Sequence, residues 1–164
     1  MARIRTGSLS DLEQVYRLNR EVFPEAWSYD GLALALADDY LLLVAETAGE
    51  EGYNFAGYLL SHDVIDETHV MQVAVRPEFR RQGIARELTL ALCALKSVDG
   101  IQTVLLEVRA SNLPARHLYA SLGFHEIGFR PRYYIPAPGQ SEREDAILMS
   151  MPLGESPIRY QISR

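Results

Sequence analysis

The sequence predicts an α+β fold, with one domain built on a central mixed, mostly antiparallel sheet flanked by helices. Three observations carry this. Strand and helix signals follow an irregular order: strand, two helices, three strands, helix, strand, helix, strand, strand. Thr47 to Gly52, with two glycines, is turn chemistry between two strand signals, as in a hairpin. No linker, repeat or composition break divides the chain, and 164 residues suit one full core. The expected domain covers residues 1–153. A tail from Gly154 has no clear pattern, which suggests disorder.

Each element has a local reason. Ala2 to Arg5 is a short first strand. Ser10-Asp11-Leu12-Glu13 is a capping-box pattern, and Leu12, Val15, Leu18 and Val22 form a helical stripe behind it. Phe23-Pro24 breaks that helix, F-P-E-A-W-S is a loop, and Ser28 caps a second helix to about Ala37. Tyr40–Glu46 and Tyr53–Ser61 are the hairpin strands, and Thr68–Val75 is the next strand. A long helix ends at Asp99-Gly100, where glycine suits a left-handed cap. Ile101–Val108 is a strand. Asn112–Leu122 is a short helix with Pro114 in its first turn, where a missing N–H does no harm. Gly123-Phe124 opens another strand, residues 131–144 are a long polar loop with three prolines, and Ala146–Met151 is the last strand.

The richest stretch runs from Val73 to Arg86, V-A-V-R-P-E-F-R-R-Q-G-I-A-R. An apolar strand end must stop near Pro77, which cannot donate to a ladder. After Gly83, the residues Ile84, Leu88, Leu92 and Leu95 lie on one helical face. A glycine-containing loop that feeds a helix points free N–H groups outward, and the helix dipole and neighbouring arginines add positive potential. Such a cradle suits a pyrophosphate. It is neither a P-loop, since no Gly-Lys-Ser/Thr follows, nor G-x-G-x-x-G, since Gly83 stands alone. Read alone, the stretch is equally an exposed basic helix start with no ligand.

Composition narrows the classes. Hydrophobic residues make up 48 % and charged residues 23 %, an ordinary globular profile. No apolar run approaches the ~20 residues of a membrane span. M-A-R-I-R-T-G does not read as a signal peptide, because no apolar stretch follows its arginines. Cys93 is the only cysteine, so no disulfide or cysteine metal cluster is expected, and a reducing cytoplasm is. The four histidines show no ligand spacing, and no metal is expected. A net charge of −6 argues against a nucleic-acid-binding surface.

Several motifs together carry a resemblance. Arg80-x-x-Gly83-x-Ala85 is similar to the coenzyme A pyrophosphate signature of the GNAT N-acetyltransferases. L-E-V-R-x-S-N at Leu106–Asn112, A-x-x-L-Y-x-x-L-G-F at Ala115–Phe124, R-Y-Y at Arg132–Tyr134 and R-E-D-A-I-x-M at Arg143–Met149 follow in the order found in the RimI type. That type comprises the ribosomal-protein alanine N-acetyltransferases. F-P-E-A-W-S is similar as well, but many members have Phe-Pro-Trp-Ser without the two residues Glu25 and Ala26. The resemblance reaches to Leu153 and implies the GNAT acyl-CoA N-acyltransferase fold. It also implies a cytoplasmic enzyme that uses acetyl-CoA as cosubstrate.

The reaction it implies is acetyl transfer to the α-amino group of a protein N-terminus. The acceptor implied is the N-terminal alanine of small-subunit ribosomal protein number eighteen, with no nucleic-acid or membrane partner. Transfer from a thioester to an amine needs a proton acceptor, a polarised carbonyl and a proton for the leaving thiolate. By the resemblance Glu107 is the proton acceptor and Tyr119 the donor. Apolar neighbours in a partly closed cleft would raise the pKa of Glu107 and make it a better base. Without the resemblance, Glu107 reads as a sheet-face glutamate paired with an arginine such as Arg109, and Tyr119 as a core aromatic.

The cofactor residues implied are Val73, Ala74 and Val75 for the pantetheine arm through their main chain, with Val73 N–H as oxyanion donor. Arg80, Arg81, Gln82, Gly83, Ile84, Ala85 and Arg86 line the pyrophosphate, and Asn112 adds a contact. Trp27, Tyr133 and Tyr134 resemble walls of the peptide site, although Tyr133-Tyr134 equally reads as the close of a hairpin. Two alternatives remain open on this reading. One is a GNAT enzyme that acetylates a small-molecule amine or a lysine. The other is a non-catalytic acetyl-CoA-binding module.

Overall fold

In the computed structural model, which describes residues 2–154, seven strands form one sheet with helices on both faces. In chain order the elements are β1 (Arg3–Thr6), α1 (Leu12–Val22), α2 (Tyr29–Ala37), β2 (Tyr40–Gly49), β3 (Gly52–Val64) and β4 (Glu67–Val75). Then follow α3 (Ile84–Val98), β5 (Thr103–Arg109), α4 (Leu113–Leu122), β6 (His125–Tyr134) and β7 (Glu144–Pro152). The order of types is the one the sequence predicts. The spatial order is β1-β2-β3-β4-β5-β7-β6. Only the β4–β5 pair is parallel, as expected for strands joined by a helical crossover.

Two apolar layers clamp the sheet. On one face α3 lays Ile84, Leu88, Ala91 and Leu92 against Leu43, Leu59, Val104 and Leu106, and Tyr119 and Phe124 extend that cluster. On the other face Leu12, Val15 and Leu18 of α1, with Leu32 of α2, cover Leu42, Val44, Tyr58, Leu60 and Ala74. Leu88 and Leu92 are fully buried, so truncating either to alanine costs about 2–5 kcal/mol. The layers do not cover the sheet equally. The β1–β4 side is sandwiched, whereas β6 is exposed along almost its whole length.

The structure corrects three local expectations. The capping box is Ser8 with Asp11, not Ser10 with Glu13. Ser8 Oγ accepts from Ser10 N–H, and Asp11 Oδ2 accepts from Ser8 N–H at 2.9 Å, so the chain enters α1 through a 3₁₀ turn. Glu13 is released to pair with Arg17 one turn on. Secondly, residues 131–134 belong to β6 rather than to a loop. Pro131 is tolerated because β6 is the outermost strand, where one missing donor breaks no ladder. Arg132 there has φ 51, and pairing with β7 jumps from Arg130↔Ala146 to Tyr134↔Glu144. Thirdly, Gly123 does not open β6. With φ 107 it is the left-handed cap of α4. Gly154 is exposed, and the rest of the predicted tail lies outside the described residues.

Candidate active site

The sheet opens in its middle. β4 and β5 pair from Glu67↔Thr103 to Val70↔Leu106 and no further. β4 nevertheless runs on to Val75 and β5 to Arg109, so beyond that point the two strands diverge. Main-chain direction along β4 alternates. Arg76 N–H bonds the Ala56 carbonyl of β3 at 2.8 Å, so Ala74, two residues back in an unbroken register, also turns its main chain to β3. Val73 and Val75 therefore direct N–H and C=O into the opening. This corrects the expectation for Ala74, whose polar groups are engaged away from the cleft and whose methyl is buried in the α1–α2 layer. Gly57 lies opposite. A Cβ there would meet the Ala74 carbonyl oxygen at 2.4 Å, so only glycine lets β4 run so close to β3.

Below the opening is the start of α3. Gly83, at φ 79, caps the helix, with nothing within 4 Å of where a side chain would begin. The first-turn N–H groups follow it, at Ile84, Ala85 and Arg86. The Ile84 side chain is core, so only its main chain faces the loop. Arg80 Nε donates to the Val75 carbonyl at 3.2 Å, which places a guanidinium at the end of the diverged strand. Arg81 (φ 61), Gln82 and Arg86 are exposed, and neither Arg81 nor Arg86 forms an ion pair among the described residues. A strand-like polar arm ending in an anion fits this arrangement. It would find the Val73 main chain and the Val75 N–H turned into the opening, then a helix N-terminus with the exposed Arg81 and Arg86. Asn112 stands across the opening, where its side chain caps α4 by accepting from Ala115 N–H at 3.3 Å.

Glu107 sits on β5 one residue past the last β4 pair, on the sheet face shared with Ala74 and opposite Leu106 and Val108. Its partner is Arg130 (Nε–Oε1 2.8 Å), not Arg109. The carboxylate is thus not in the dry apolar setting expected from its strand neighbours. It is 27 % exposed and shares its surroundings with a guanidinium, because β7 and β6 bring Arg130 alongside β5. Tyr119 stands on the other face. It is 6 % exposed, edge-on to Phe124 at 5.5 Å, and its hydroxyl makes no hydrogen bond among the described residues. Burial pushes this phenol up to about 12, so it keeps its proton throughout the neutral range. A carboxylate and a protonated phenol thus lie on opposite faces of the sheet.

Tyr133 and Tyr134 do converge on Glu107. Burial, then the Glu107 carboxylate, raises both phenols above their ordinary value. Arg130 lies over the Tyr133 ring at 5.7 Å and Arg109 over the Tyr134 ring at 4.6 Å. Arg143 donates to the Arg132 and Tyr133 carbonyls, and Asp145 accepts from Arg132 N–H, which holds the left-handed kink that presents the two tyrosines. Trp27 is placed elsewhere. Its indole packs edge-on to Tyr40 at 6.1 Å within the α1–α2 layer. The residue of that loop that reaches the tyrosines' neighbourhood is Glu25. Its Oε1 accepts from Arg109 Nη2 at 2.5 Å and from Ile135 N–H at 3.1 Å. Sequence reasoning did not single out Glu25, although the signal was present. It is one of the two residues that lengthen Phe-Pro-Trp-Ser to F-P-E-A-W-S.

Among the described residues, no group of three or more His, Cys, Asp or Glu is placed to hold a metal ion, and no helix is long and apolar enough to cross a membrane.

Comparison with known proteins places this geometry. Residues 12–124 match the Acetyltransferase (GNAT) family. A curated relative named ribosomal protein bS18-alanine N-acetyltransferase, from Escherichia coli (strain K12), is 34 % identical over 153 residues, covering 93 % of this chain and 99 % of that one. An N-alpha-acetyltransferase from Sulfurisphaera tokodaii is 35 % identical over 161 residues, 92 % of this chain and 93 % of its own. The crystal structure of the ribosomal-protein-S18-alanine N-acetyltransferase from Escherichia coli superposes with a TM-score of 0.84 at 32 % identity, covering 99 % of this chain and all of that one.

Proposed function

Because the chain belongs to the GNAT acetyltransferase family, whose members use acetyl-CoA, we propose that it acetylates the α-amino group of protein N-termini. We take as first acceptor the N-terminal alanine of small-subunit ribosomal protein number eighteen. The observation that carries this reading is the divergence of β4 from β5 past Val70 and Leu106, with Glu107 at its lip beside Tyr133 and Tyr134. The relatives on both sides of the comparison, bacterial and archaeal, are named for acetylation of α-amino groups or of an alanine, which supports an N-terminal acceptor.

Acetyl-CoA supplies an activated acetyl group as a thioester. The chain's own groups do the rest. Val73 and Val75 hold the arm through main-chain donors and acceptors, and the Val73 N–H is available to a developing oxyanion. The α3 start, with Arg81, Gln82, Gly83, Ala85 and Arg86, takes the pyrophosphate. Glu107 receives the proton of the incoming ammonium, directly or through water, because an α-amino group with a pKa near ~8 is mostly protonated at pH 7. Tyr119, a phenol that holds its proton at neutral pH, is the donor to the departing thiolate. Tyr133, Tyr134 and the Glu25 loop border the acceptor.

The test is release of free thiol from acetyl-CoA with a basic peptide that begins with alanine, the product being located by mass spectrometry. Acetyl on the N-terminal nitrogen supports the reading. Turnover on a lysine or a polyamine but not on this peptide would move the enzyme to another acceptor class. Acetyl-CoA binding without turnover on any amine would leave a cofactor-binding module. Calorimetry on Gly83→Glu, expected to lose most acetyl-CoA affinity while folded, checks the pyrophosphate assignment separately.

A further inference from the structure

Beneath the acceptor loop lies a buried polar cluster that none of the chemistry above uses. Asn19, in the last turn of α1, is 0 % exposed, Tyr58 of β3 is 0 % and Gln72 of β4 is 7 %. Asn19 Nδ2 donates to Gln72 Oε1 at 2.7 Å and to Tyr58 Oη at 3.1 Å, and Tyr58 Oη donates to Gln72 Oε1 at 2.8 Å. The Asn19 amide orientation follows from its remaining contact. Trp27 N–H must find an acceptor, and Asn19 Oδ1 is 2.8 Å away.

A buried polar set of this kind is costly unless fully satisfied, and an apolar set would fill the same space at less risk. Its placement gives it a use. Gln72 directly precedes Val73, whose main chain faces the opening. Trp27 ends the loop that carries Glu25 to Arg109 and Ile135. Among the described residues, one side-chain hydrogen bond leads out of the triad, and it goes to that loop. Asn19 is therefore the joint between the strand that would hold the acetyl donor and the loop that borders the acceptor.

We propose that Asn19 is a positioning residue for the acceptor amine, setting the height of the Pro24–Trp27 loop over the diverged part of β4 through its bond to Trp27 N–H. This rests on the acetyl-transfer reading for its kinetic arm only. Misplacement of an acceptor by an ångström is enough to cost ~100-fold in rate, so a joint of this kind has kinetic leverage without touching substrate.

Three variants test it. Asn19→Leu fills nearly the same volume and removes every bond. Asn19→Asp keeps an oxygen for Trp27 N–H. Tyr58→Phe removes only the hydroxyl and leaves both Asn19–Gln72 and Asn19–Trp27. Trp27 is the only tryptophan, so its emission reports on the loop without any substrate. Asn19→Leu is expected to raise acceptor KM about tenfold or more. Its acetyl-CoA Kd should stay within about twofold, its kcat at saturating peptide should fall less than its KM rises, and Trp27 emission should move to longer wavelength. Asn19→Asp should recover most of both signals. Tyr58→Phe should lower Tm yet leave acceptor KM and Trp27 emission in place.

The proposal is overturned if Asn19→Leu folds with wild-type acceptor KM and emission. It is equally overturned if Tyr58→Phe moves them as far, which would make the triad a stability feature alone. If Asn19→Leu does not fold, Asn19→Ser is judged by the same readouts. Should the wild type fail to acetylate the peptide, the functional reading falls, and the Trp27 emission of the variants still decides the joint.

Discussion

Two clusters in this molecule are made of the same parts, two arginines and two carboxylates, and are built differently. At the β1 edge, Arg3 and Arg5 both bind Glu46, at 2.6 and 2.9 Å, and Arg5 also grips Asp11 through two nitrogens on two oxygens, at 2.8 and 3.0 Å. Ser8 N–H adds a third bond to Asp11. The carboxylates of Asp11 and Glu46 are only 9 and 12 % exposed. At the proposed acceptor mouth, Arg130 reaches Glu107 through one nitrogen on one oxygen, and Arg109 meets Glu25 on one oxygen. Exposure there is 27 and 34 %, and the neighbours are tyrosines along an open cleft. Saturated carboxylates with fork geometry hold structure together. Carboxylates that each take a single arginine nitrogen, at a water-accessible lip, keep lone pairs open to a proton. The difference lies in how many lone pairs are already taken, not in residue type.

The largest expected break in the comparison is Glu107→Gln. It keeps the shape and removes the proposed proton acceptor, so turnover at pH 7 should fall ~100- to 10,000-fold. Acetyl-CoA binding and Tm should hardly move. The rate should partly recover above the ~8 of the amine, where the acceptor deprotonates unaided. Near-normal turnover at pH 7 would make the mouth as structural as the β1 edge. Tyr119→Phe comes next and asks whether the mouth works with a donor from across the sheet. Single-turnover rate should drop, by less than for Glu107→Gln, because a coenzyme A thiolate is already a fair leaving group. Stability should hold, since the hydroxyl has no partner among the described residues to lose. An unchanged rate across neutral pH returns Tyr119 to a core aromatic.

At the β1 edge the effect should appear in stability instead. Asp11→Asn weakens two charge-assisted bonds to Arg5 and should cost about 1.5–3 kcal/mol by chemical denaturation, with activity per folded molecule unchanged. pH provides a second check. Burial alone would raise the Asp11 carboxyl, but Arg5 and the Ser8 N–H outweigh it and hold the group below the ordinary carboxylate value. A depressed carboxyl stabilises the fold above its unfolded pKa, near ~3.9, and that contribution disappears as pH falls through the folded value. The wild type should therefore lose this increment only in acid, and Asp11→Asn should show a flatter acid limb. A drop in kcat for Asp11→Asn at full folding would contradict the division.

Much of the fold was legible because its determinants are local. The stripe from Ile84 to Leu95, the Asn112 cap with Pro114 behind it, and the Gly100 stop each act within a turn or two, and each is where periodicity put it. The Ser8 cap was missed because two serines compete for one helix start, and Asp11, already bound by Arg5, decides between them. Pro131 argued for a loop only while its strand's place at the sheet edge was unknown. The sequence offers the candidate site residues by type but not their pairings. Glu107 and Arg130 are 23 residues apart, Glu25 and Arg109 are 84, and Asn19 and Gln72 are 53. No spacing rule spans such separations. The opening between β4 and β5 is likewise a property of two strands ceasing to pair, which neither strand's own sequence records.

The smallest expected effect is the sharpest on where the mouth ends. Glu25→Gln keeps an oxygen for the Ile135 N–H and removes only the charge facing Arg109. A pair this exposed contributes about 0.2–1 kcal/mol and is screened by salt, so acceptor KM should rise at most about fivefold, and less at high ionic strength. Tm should shift little, and acetyl-CoA Kd not at all, since Glu25 on the α1–α2 loop bonds Arg109 and Ile135 and not the start of α3. The Arg109 guanidinium, freed of one partner, still has the Ile135 carbonyl at 3.0 Å and the Tyr134 ring, so the wall of the cleft should keep its shape. Charge and shape are thereby separated. If KM for the peptide moves while Tm does not, Glu25 belongs functionally with Glu107. If Tm falls and KM stays fixed, Glu25 behaves as Asp11 and Glu46 do, and the boundary between the two kinds of cluster runs through the acceptor mouth itself.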